Sequence, residues 1–424
     1  MQNENDAIVV GAGPAGATAA RALALGGARV CLLERSRFPR NKPCGGGITV
    51  RALRRFPWLE PALGRIPTHY VSRLVLEGAS GASVTLTSSR PAVLLIRRFE
   101  FDNLLTRLAV ESGADLVEQA WVSSVDADEN GANVRTRDGR EFRAPFLIAA
   151  DGVNGVTTRR LGLHHGWGAD SIALDMMEET PNSELRAVDP ATLWVSYGRG
   201  GADGYGYIFP KRDHVNVGIG CLLSHFREHV VLAPHEMQQQ FVDDLTRRGA
   251  LDGNSSPQHF TPFHIPVGGP IGKTARERVV VAGDAGGFVN AYTAEGIYYA
   301  MVTGELAANS VLAALSDRSP RAGRGLAKRY VRAWKREIGS ELRDSVLIQK
   351  YLFADANRIE AVVRGASCWP ELAQAIIAYA SGDLSYKEAR RRLLRQFPRA
   401  ALNLLGTGFH NRSAGKSGRE PSAP

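Results

Sequence analysis

The chain has 424 residues, 44% of them hydrophobic and 22% charged, with 52 Lys and Arg against 43 Asp and Glu. This composition excludes a disordered or collagen-like chain, and the length suffices for two or three domains around a large core. The four cysteines, Cys31, Cys44, Cys221 and Cys368, form no CxxC pair. Their spacing argues against a disulfide scaffold or a zinc site and indicates a reducing compartment.

The net charge of +9 is concentrated near the carboxyl terminus, where residues 385–424 hold nine Lys or Arg against two Glu. This basic region either contacts anionic lipid headgroups or an acidic protein, or it is a solvated helix with a flexible end. Nucleic acid is not an expected partner, because no aromatic residues are interleaved with the charges. The acidic opening MQNEND is unlike a secretory signal, and no apolar run reaches the ~18 residues of a membrane span. We expect a cytoplasmic protein, either free or peripheral at the inner membrane surface.

The first predicted element is a βαβ unit in the segment AIVVGAGPAGATAARALALGGARVCLLER. Residues 7–10 form a short apolar strand, residues 15–25 have helical composition, and residues 28–33 form a second strand that ends at Glu34. A complete unit of this kind is much stronger evidence for a dinucleotide site than a glycine motif alone.

Each glycine of the GxGxxG motif in this unit has a physical reason. Gly11 permits the tight turn, Gly13 lets backbone approach a pyrophosphate, and Gly16 lets the helix pack closely on the strand. The amides at the helix start receive the phosphate charge. Glu34 stands where an acid would bond the ribose hydroxyls of an adenine dinucleotide.

Two later strands end in a corner of Gly and Asp: FLIAAD at residues 146–151, followed by Gly152, and VVVAGD at residues 279–284. Such apolar runs are typical of buried strands in a doubly wound sheet, where ligands bind at the carboxyl ends. Residues 70–87 and 193–221 instead alternate apolar and polar side chains, which predicts antiparallel strands.

These patterns predict an α/β protein in which a Rossmann-like domain is interrupted by an antiparallel-sheet substrate domain and followed by a helical region. The nucleotide-binding domain takes residues 1–68, 97–164 and 265–315, and the substrate domain takes residues 69–96 and 165–264. Residues 316–410 form a C-terminal helical region, and the Gly-, Ser- and Pro-rich residues 411–424 form a disordered tail.

The motifs resemble those of the FAD-dependent oxidoreductases that include aromatic hydroxylases, flavin halogenases and geranylgeranyl reductases. The first glycine motif, RFEFD at residues 98–102, the DG pair at 151–152 and the GD pair at 283–284 occur in that family's order. Gly155 departs from the family's common serine. The resemblance implies an FAD held by a set of residues spread over these elements: Gly11, Gly13, Ala15, Gly16, Glu34, Arg35, Cys44, Gly45, Arg98, Asp151, Gly152, Gly283, Asp284, Gly286 and Gly287.

A narrower resemblance is to the geranylgeranyl reductases. KPCGGGIT at residues 42–49 is similar to their Pro-Cys-Gly-Gly signature, and YGYIFPKRDHVNVGIG at residues 205–220 fits their aromatic, Phe-Pro and Gly-x-Gly pattern. The position of Tyr207 is Trp in many members. The resemblance implies catalytic residues Cys44, Tyr205, Tyr207 and Phe209 and substrate contacts at Gly46, Gly47 and Pro210.

The chemistry that this implies is reduction of an isolated alkene in a polyprenyl chain carried by a diphosphate, lipid, quinone or chlorophyll-type group. Because no carbonyl activates such an alkene, a proton must accompany the hydride from reduced flavin. Aromatic faces stabilise the resulting cation by ~1–2 kcal/mol each when desolvated, and the site must exclude water. Cys44 positions the chain or relays the proton, and the absent side chains of Gly45, Gly46 and Gly47 leave room for the chain.

Several other features have simpler interpretations. The histidines lack metal-binding spacing, so no metal site is expected, and Asp175, Glu178 and Glu179 are expected to form a solvated acidic face. Since no second GxGxxG motif follows, electrons come from NADPH or from a reduced ferredoxin-like protein. ARRRLLRQFPRA at residues 389–400 either lies on a membrane surface or caps a soluble bundle.

Two other functions remain open at this point. A flavin monooxygenase, either an aromatic hydroxylase or a halogenase, would share the FAD elements, although the halogenase Trp-x-Trp-x-Ile-Pro pattern is absent. A non-catalytic flavoprotein that carries electrons or binds prenyl lipids would share them as well.

Overall fold

The structure is a computed structural model that describes residues 5–198, 204–317, 322–352, 355–368, 370–380 and 383–396. The strands in these ranges, in chain order, are β1 Ala7–Val10, β2 Val30–Leu33, β3 Gly47–Thr49, β4 His69–Val71, β5 Arg73–Glu77, β6 Ser83–Thr87, β7 Val93–Leu95, β8 Asp115–Val117, β9 Val122–Ala127, β10 Ala132–Thr136, β11 Glu141–Ala144, β12 Phe146–Ala149, β13 Ile172–Pro181, β14 Leu185–Ala187, β15 Thr192–Tyr197, β16 Tyr205–Pro210, β17 His214–Leu222, β18 Leu251–Gly253, β19 Phe260–Pro266, β20 Ala275–Arg276 and β21 Val279–Val281.

The helices in the same ranges are α1 Pro14–Leu25, α2 Arg51–Arg55, α3 Leu59–Leu63, α4 Arg98–Glu111, α5 Thr157–Arg160, α6 Leu223–His229, α7 Pro234–Arg247, α8 Ile297–Leu315, α9 Ala322–Trp334, α10 Ser340–Leu352, α11 Ala356–Cys368, α12 Pro370–Ala380 and α13 Tyr386–Gln396. A π-helical turn over Lys335–Gly339 joins α9 to α10. Within the described part of the chain, no helix combines the length and apolar character that crossing a membrane requires.

The first layer is a six-stranded sheet in the order β20-β21-β12-β1-β2-β8. Its pairs are parallel except β20 with β21. Every residue of β1, β2 and β12 is buried, because α1, α4 and α8 cover one face and β9–β11 cover the other. A Cβ on Gly304 of α8 would lie only 2.2 Å from the carbonyl oxygen of Ala15, so glycine sets how closely α8 packs on α1. The predicted βαβ unit and doubly wound sheet are confirmed.

The second layer is a seven-stranded sheet in the order β19-β13-β17-β16-β15-β5-β6. The prediction of antiparallel pairing is right for five of its neighbouring pairs and wrong for β5 with β15, which run parallel. Alternating hydrophobicity indicates that one face of a strand is buried and carries no information on strand direction. Here β5 and β15 come from different excursions of the chain, so no hairpin fixes their relative direction.

A three-stranded sheet, β3-β7-β4, joins the two layers. Its central strand β7, residues 93–95, pairs on one side with residues 47–49 and on the other with residues 69–71. Residues 47–49 are predicted for the nucleotide-binding domain and the other two strands for the substrate domain. The proposed domain boundaries next to residues 69 and 96 therefore fall within a sheet, and they stay a prediction.

The C-terminal helices pack back on both layers. The Tyr330 hydroxyl of α9 donates to the Val281 carbonyl at 2.6 Å, and α11 packs on β6, where Glu360 accepts from the Ser80 hydroxyl at 2.6 Å. The predicted helical region is confirmed in the described parts of residues 322–396. The end of the basic segment and the predicted tail lie outside the described residues.

Candidate active site

A cavity of about 670 Å³ lies between the carboxyl edge of the parallel sheet and one face of the seven-stranded sheet. Its first end is lined by the glycine loop and by the corners that follow β2, β12 and β21. Its second end is lined by β13, β15, β16, β17 and β19, together with residues 42–47. Since the two ends form one continuous space, a ligand bound at the nucleotide end can extend to the sheet.

The glycine loop shapes the first end of the cavity. Gly11 has φ +96°, and a Cβ there would lie 2.4 Å from the Ala150 carbonyl oxygen, while a Cβ on Gly16 would lie 1.8 Å from the Gly11 oxygen. Gly13 differs, because the atom nearest to its Cβ position is Arg40 Nη2 at 3.8 Å. The fold requires the two outer glycines, whereas Gly13 leaves open the space at the start of α1.

Glu34 lies at the end of β2 with 4% of its surface exposed. Its Oε2 accepts from the Ala12 amide at 3.0 Å, and its Oε1 accepts from the Ser36 amide at 3.1 Å and pairs with Arg40 at 3.5 Å. Each carboxylate oxygen can accept two hydrogen bonds. Among the described residues Oε2 has the Ala12 amide as its one donor, so it can accept a second hydrogen bond from a ligand hydroxyl.

Arg98, at the start of α4, is bound by Asp102 one turn later, with Nε–Oδ1 and Nη2–Oδ2 distances of 2.5 and 2.7 Å. Arg40 reaches the same carboxylate at 2.9 Å. Burial alone would raise the pKa of Asp102, but the two guanidinium groups hold it below its usual range. Arg40 lies in a loop without a motif, so the sequence reasoning missed this cation beside the glycine loop.

The carboxylate of Asp151 occupies the space next to Gly155. The Oδ2 of Asp151 accepts from the Thr157 amide and hydroxyl at 2.9 and 2.8 Å, whereas its Oδ1 is buried without a partner among the described residues. Burial raises the pKa of this carboxyl. A Cβ on Gly155 would lie 2.2 Å from the Asp151 Cγ, so glycine replaces the family's serine where the carboxylate needs the space.

Asp284 follows β21 and lines the cavity together with Gly283. Among the described residues, no hydrogen-bond donor reaches its carboxylate. Gly286 and Gly287, predicted to face the flavin, do not line the cavity. Their Cβ positions instead lie 2.5 Å from the Phe288 ring and 2.3 Å from the Gly269 oxygen, because the turn after Asp284 folds back on the protein.

These features fit an FAD. The backbone N–H groups of Gly13 and Ala15, which flank Pro14 at the start of α1 and line the cavity, would receive the pyrophosphate. Glu34, with Arg35 beside it, would hold the adenosine ribose, and Asp284 would accept from the ribityl hydroxyls. The buried Oδ1 of Asp151 is a further acceptor that no described protein group satisfies. The other predicted contacts on this side, Ala15, Arg98, Gly152 and Gly283, line the same cavity.

The second end of the cavity has an aromatic wall, formed by Tyr205, Tyr207 and Phe209 of β16. The ring centroids are 6.2 Å apart for the two tyrosines and 4.6 Å apart for Tyr207 and Phe209. Gly220 and Gly218 of β17 lie opposite Tyr205 and Tyr207, and a Cβ on Gly218 would lie 2.4 Å from the Tyr207 hydroxyl. The Gly-x-Gly pattern therefore provides space for this tyrosine hydroxyl.

Cys44 lies beside this aromatic wall, where its sulfur accepts from the Gly46 amide at 3.4 Å. Gly45, Gly46 and Gly47 also line the cavity, but the space left by their missing side chains is filled. Cβ atoms on Gly45 and Gly47 would lie 2.9 and 3.0 Å from the Phe209 ring, and one on Gly46 would lie 2.0 Å from the Ile96 oxygen. Close packing of this loop, rather than room for a substrate, is what requires the three glycines.

Pro210 does not line the cavity. Successive side chains of a strand point to opposite faces, so Pro210 of β16 points away from the face that carries Phe209. The predicted substrate contact at Pro210 therefore has no support from this cavity, and it stays a prediction.

The expected solvated acidic face is wrong, because β13 lies inside the seven-stranded sheet. Asp175 is 6% exposed and lines the cavity, while Glu178 is fully buried on the opposite face and accepts from Gln238 at 3.0 Å. Glu179 pairs with Lys211 and with Arg97. Three acids in five residues look polar in the sequence, and only strand pairing shows that they are buried.

Asp175 is the carboxylic acid of the aromatic wall. It accepts from the Tyr207 hydroxyl at 3.2 Å, and burial raises the pKa of its carboxyl to about 7. The amine of Lys42 lies 4.2 Å from the Phe263 ring centroid near this carboxyl, and burial lowers the pKa of Lys42. Sequence reasoning assigned neither Asp175 nor Lys42 to the site.

The chain matches the family model described as FAD binding domain over residues 4–330, and it belongs to that family. The fold and the site thus define an FAD-dependent oxidoreductase. The chain is 30% identical to digeranylgeranylglycerophospholipid reductase of Methanocaldococcus jannaschii, over 82% of this chain and 86% of the relative. It is 31% identical to menaquinone reductase of Mycobacterium tuberculosis over 73% and 76% of the two chains.

Solved structures of similar fold include a reductase-like protein and a brominase. A geranylgeranyl bacteriochlorophyll reductase-like protein from Thermoplasma acidophilum has a TM-score of 0.78 at 20% identity, covering 95% of this chain and 99% of that one. A flavin-dependent brominase has a TM-score of 0.70 at 18% identity, covering 94% and 100%. The resemblance seen in the sequence is confirmed, with the reductase closer in fold than the halogenase.

Proposed function

We propose that the protein is an FAD-dependent reductase that saturates isolated C=C bonds of a geranylgeranyl or related polyprenyl chain. The observation that carries the proposal is the single cavity, in which a dinucleotide end continues into an aromatic wall beside Cys44. The names of the two relatives, which indicate reductases of a prenyl lipid and of a prenylated quinone, support this substrate class.

The side chains of the second end suit a cationic alkene. When bound and reduced, FAD supplies hydride, and the protein must supply a proton and stabilise the charge. The faces of Tyr205, Tyr207 and Phe209 would each contribute ~1–2 kcal/mol toward a desolvated cation. Tyr207 is buried and Tyr205 and Phe209 are half-buried, so a bound prenyl chain that covers them would exclude the water that otherwise traps the cation. Cys44 would hold the chain against this wall.

The group that carries the prenyl chain is a diphosphate, a lipid, a quinone or a chlorophyll-type ring. An amphiphilic substrate of this kind gives the basic helix α13 a purpose as a peripheral contact with anionic lipid. The proposal leaves NADPH and a reduced ferredoxin-like protein as alternative electron donors.

The test is an anaerobic reaction of the reduced, flavin-loaded protein with geranylgeranyl diphosphate and with a menaquinone. Flavin absorbance reports reoxidation, and mass spectrometry of the extracted prenyl chain reports gain of hydrogen. We expect reoxidation without oxygen and prenyl chains heavier by pairs of hydrogen atoms. For menaquinone only hydrogen gained in the prenyl chain counts, because the quinone ring can itself oxidise reduced flavin and gain two hydrogens. Reoxidation that needs oxygen, with an oxygenated product from an aromatic panel, would instead indicate a monooxygenase. A flavin that neither prenyl probe oxidises contradicts the proposal.

Replacement of Cys44 is expected to separate flavin binding from reduction. Cys44→Ala should keep bound flavin, because the thiol makes no contact that the glycine loop of residues 11–16 needs. It should still slow alkene reduction by roughly 10-fold or more, because the prenyl chain is no longer held in position. Single-turnover flavin reoxidation measures this effect. Cys31→Ala, which removes a buried thiol of β2 outside the cavity, is the matched control. Equal rates for Cys44→Ala and the unmodified protein would leave Cys44 a structural residue.

A further inference from the structure

Of the three acids of β13, Asp175 is the one that lines the cavity beside the aromatic wall. On the cavity face it lies between Phe263 of β19 and Gly220 of β17, its register partners. The Tyr207 hydroxyl donates to both of its oxygens, at 3.3 and 3.2 Å. No ion pair to a cation was found for it among the described residues, and it is 6% exposed.

The surroundings of Asp175 favour its neutral form. The groups that face it are the phenols of Tyr207 and Tyr205 on β16, the Cys44 thiol and the Lys42 amine on the loop, and the apolar ring of Phe263. Burial disfavours the carboxylate more strongly than the Tyr207 hydrogen bond and the Lys42 charge favour it, so the pKa rises to about 7. Asp175 therefore keeps its proton to a higher pH than an exposed aspartate does.

We propose that protonated Asp175 is the general acid that donates the proton to the alkene of the bound prenyl chain, with Tyr207 as its positioning residue. This inference rests on the proposed function and names the residue that the reaction requires. Asp175 lines the same cavity as the aromatic wall, so its proton can reach an alkene lying on that wall.

The competing donors are less suited to this step. An unperturbed thiol has a pKa of ~8.5, and burial raises the pKa of the Tyr207 phenol far above its usual range. If the ammonium group of Lys42 were the donor, its positive charge would lie beside the carbon cation while the proton is being transferred, and the two charges would repel each other. Donation from Asp175 instead leaves a carboxylate, which attracts the cation and is itself stabilised by the nearby Lys42 charge.

The step balances in atoms and electrons. The O–H bond of Asp175 breaks, and the π electron pair of the alkene forms the new C–H bond with that proton. The adjacent carbon accepts hydride with its electron pair, so the alkene gains two hydrogens while the reductant, reduced flavin, loses two electrons. Asp175 is left as a carboxylate and regains a proton from solvent after the product leaves.

The test compares Asp175→Asn with Glu178→Gln, which neutralises a buried carboxyl of the same strand on the face away from the cavity. Both flavin-loaded variants and the unmodified protein are reduced anaerobically and mixed with geranylgeranyl diphosphate or menaquinone between pH 5 and 9. We expect Asp175→Asn to lower the single-turnover rate of prenyl-chain saturation by about 100-fold or more, as loss of a general acid does. The rate of the unmodified protein should fall as pH rises through about 7, while the residual rate of Asp175→Asn should not follow this profile.

Tyr207→Phe provides a second variant that keeps the ring and the acid. Because the Tyr207 hydrogen bond lowers the pKa of Asp175, its loss should move the decline in rate to higher pH. If Asp175 had only a structural role, Tyr207→Phe would leave the pH at which the rate declines unchanged.

A readout independent of turnover is the infrared carbonyl band of protonated carboxyls in the oxidised protein. A band that disappears as pH rises through about 7 should be present in the unmodified protein and Glu178→Gln and absent from Asp175→Asn. Its presence in all three overturns the proposal.

The outcomes separate the two proposals. If the unmodified protein reduces a prenyl probe but Asp175→Asn matches its rate or keeps its pH profile, Asp175 is not the acid and the reductase assignment stands. If the unmodified protein adds hydrogen to the prenyl chain of neither probe, the reductase assignment fails and the acid proposal fails with it.

Discussion

Gly13→Val is expected to give a folded protein that is isolated without flavin. The backbone at Gly13, with φ −73° and ψ −174°, is a conformation that valine readily adopts. The nearest protein atom to its Cβ position is 3.8 Å away. The valine methyl groups would therefore occupy the open space at the start of α1, where a pyrophosphate approaches the helix amides.

The expected size of this effect follows from overpacking. Inserting methyl groups into a close contact costs about 1–3 kcal/mol, which is roughly a 5- to 150-fold weaker Kd for FAD. Flavin absorbance relative to protein, before and after incubation with FAD, measures the loss. Gly272→Val is the control, because its Cβ meets nothing within 4 Å and it lies outside the cavity. A Gly13→Val protein with full flavin content would contradict the cofactor position.

The sequence was sufficient where one segment contains the whole structural reason. The turn at Gly11, the helix start and Glu34 belong to 28 consecutive residues from Ala7, so spacing alone predicts their arrangement. The second strand begins at Val30 rather than at residue 28 because Gly27, with φ +82°, and Ala28 complete the turn after α1. Such differences concern element ends and leave the site unchanged.

The sequence was insufficient where a residue's environment depends on a distant strand. Asp175 becomes a cavity acid only because β17 and β19 flank its strand. Gly45 is required by the ring of Phe209, 164 positions later in the chain. Arg40 reaches the glycine loop through an irregular segment. The orientation of Pro210 is different, because strand alternation predicts it from the sequence: once Phe209 faces the cavity, its neighbour Pro210 must point to the opposite face of the sheet.

Arg51→Leu is expected to destabilise the protein by about 3–5 kcal/mol, the usual cost of removing one partner from a buried ion pair. Arg51 is 8% exposed, and its guanidinium binds Glu341 at 2.9 Å, Glu295 at 3.1 Å and the Tyr299 hydroxyl at 2.9 Å. The Tyr298 ring centroid lies 4.0 Å from the same group. Leucine would leave both carboxyls without their cation.

Exposed Arg54 on the same helix is the matched control. Arg54→Leu removes an ion pair with Asp383 whose side chains are 50% and 34% exposed, so we expect a loss of about 0–1 kcal/mol. Urea unfolding of both variants measures the difference. Adding Glu341→Gln to Arg51→Leu should recover part of the lost stability, because it removes one unpaired carboxylate. Equal losses for Arg51→Leu and Arg54→Leu would show that the buried network contributes little.

The loss of unfolding free energy in Arg51→Leu should grow as the pH rises. Burial already raises the pKa of Glu341 although Arg51 opposes it, so loss of Arg51 raises it further. A carboxyl with a raised folded pKa contributes stability below its unfolded pKa of ~4.3 and loses it as pH rises through the folded value. Arg51→Leu should therefore be more destabilised at pH 7 than at pH 5. Glu295 also accepts from the Thr49 amide at 3.1 Å and hydroxyl at 2.6 Å, so the same change should loosen the strand that follows Cys44 and slow flavin reoxidation.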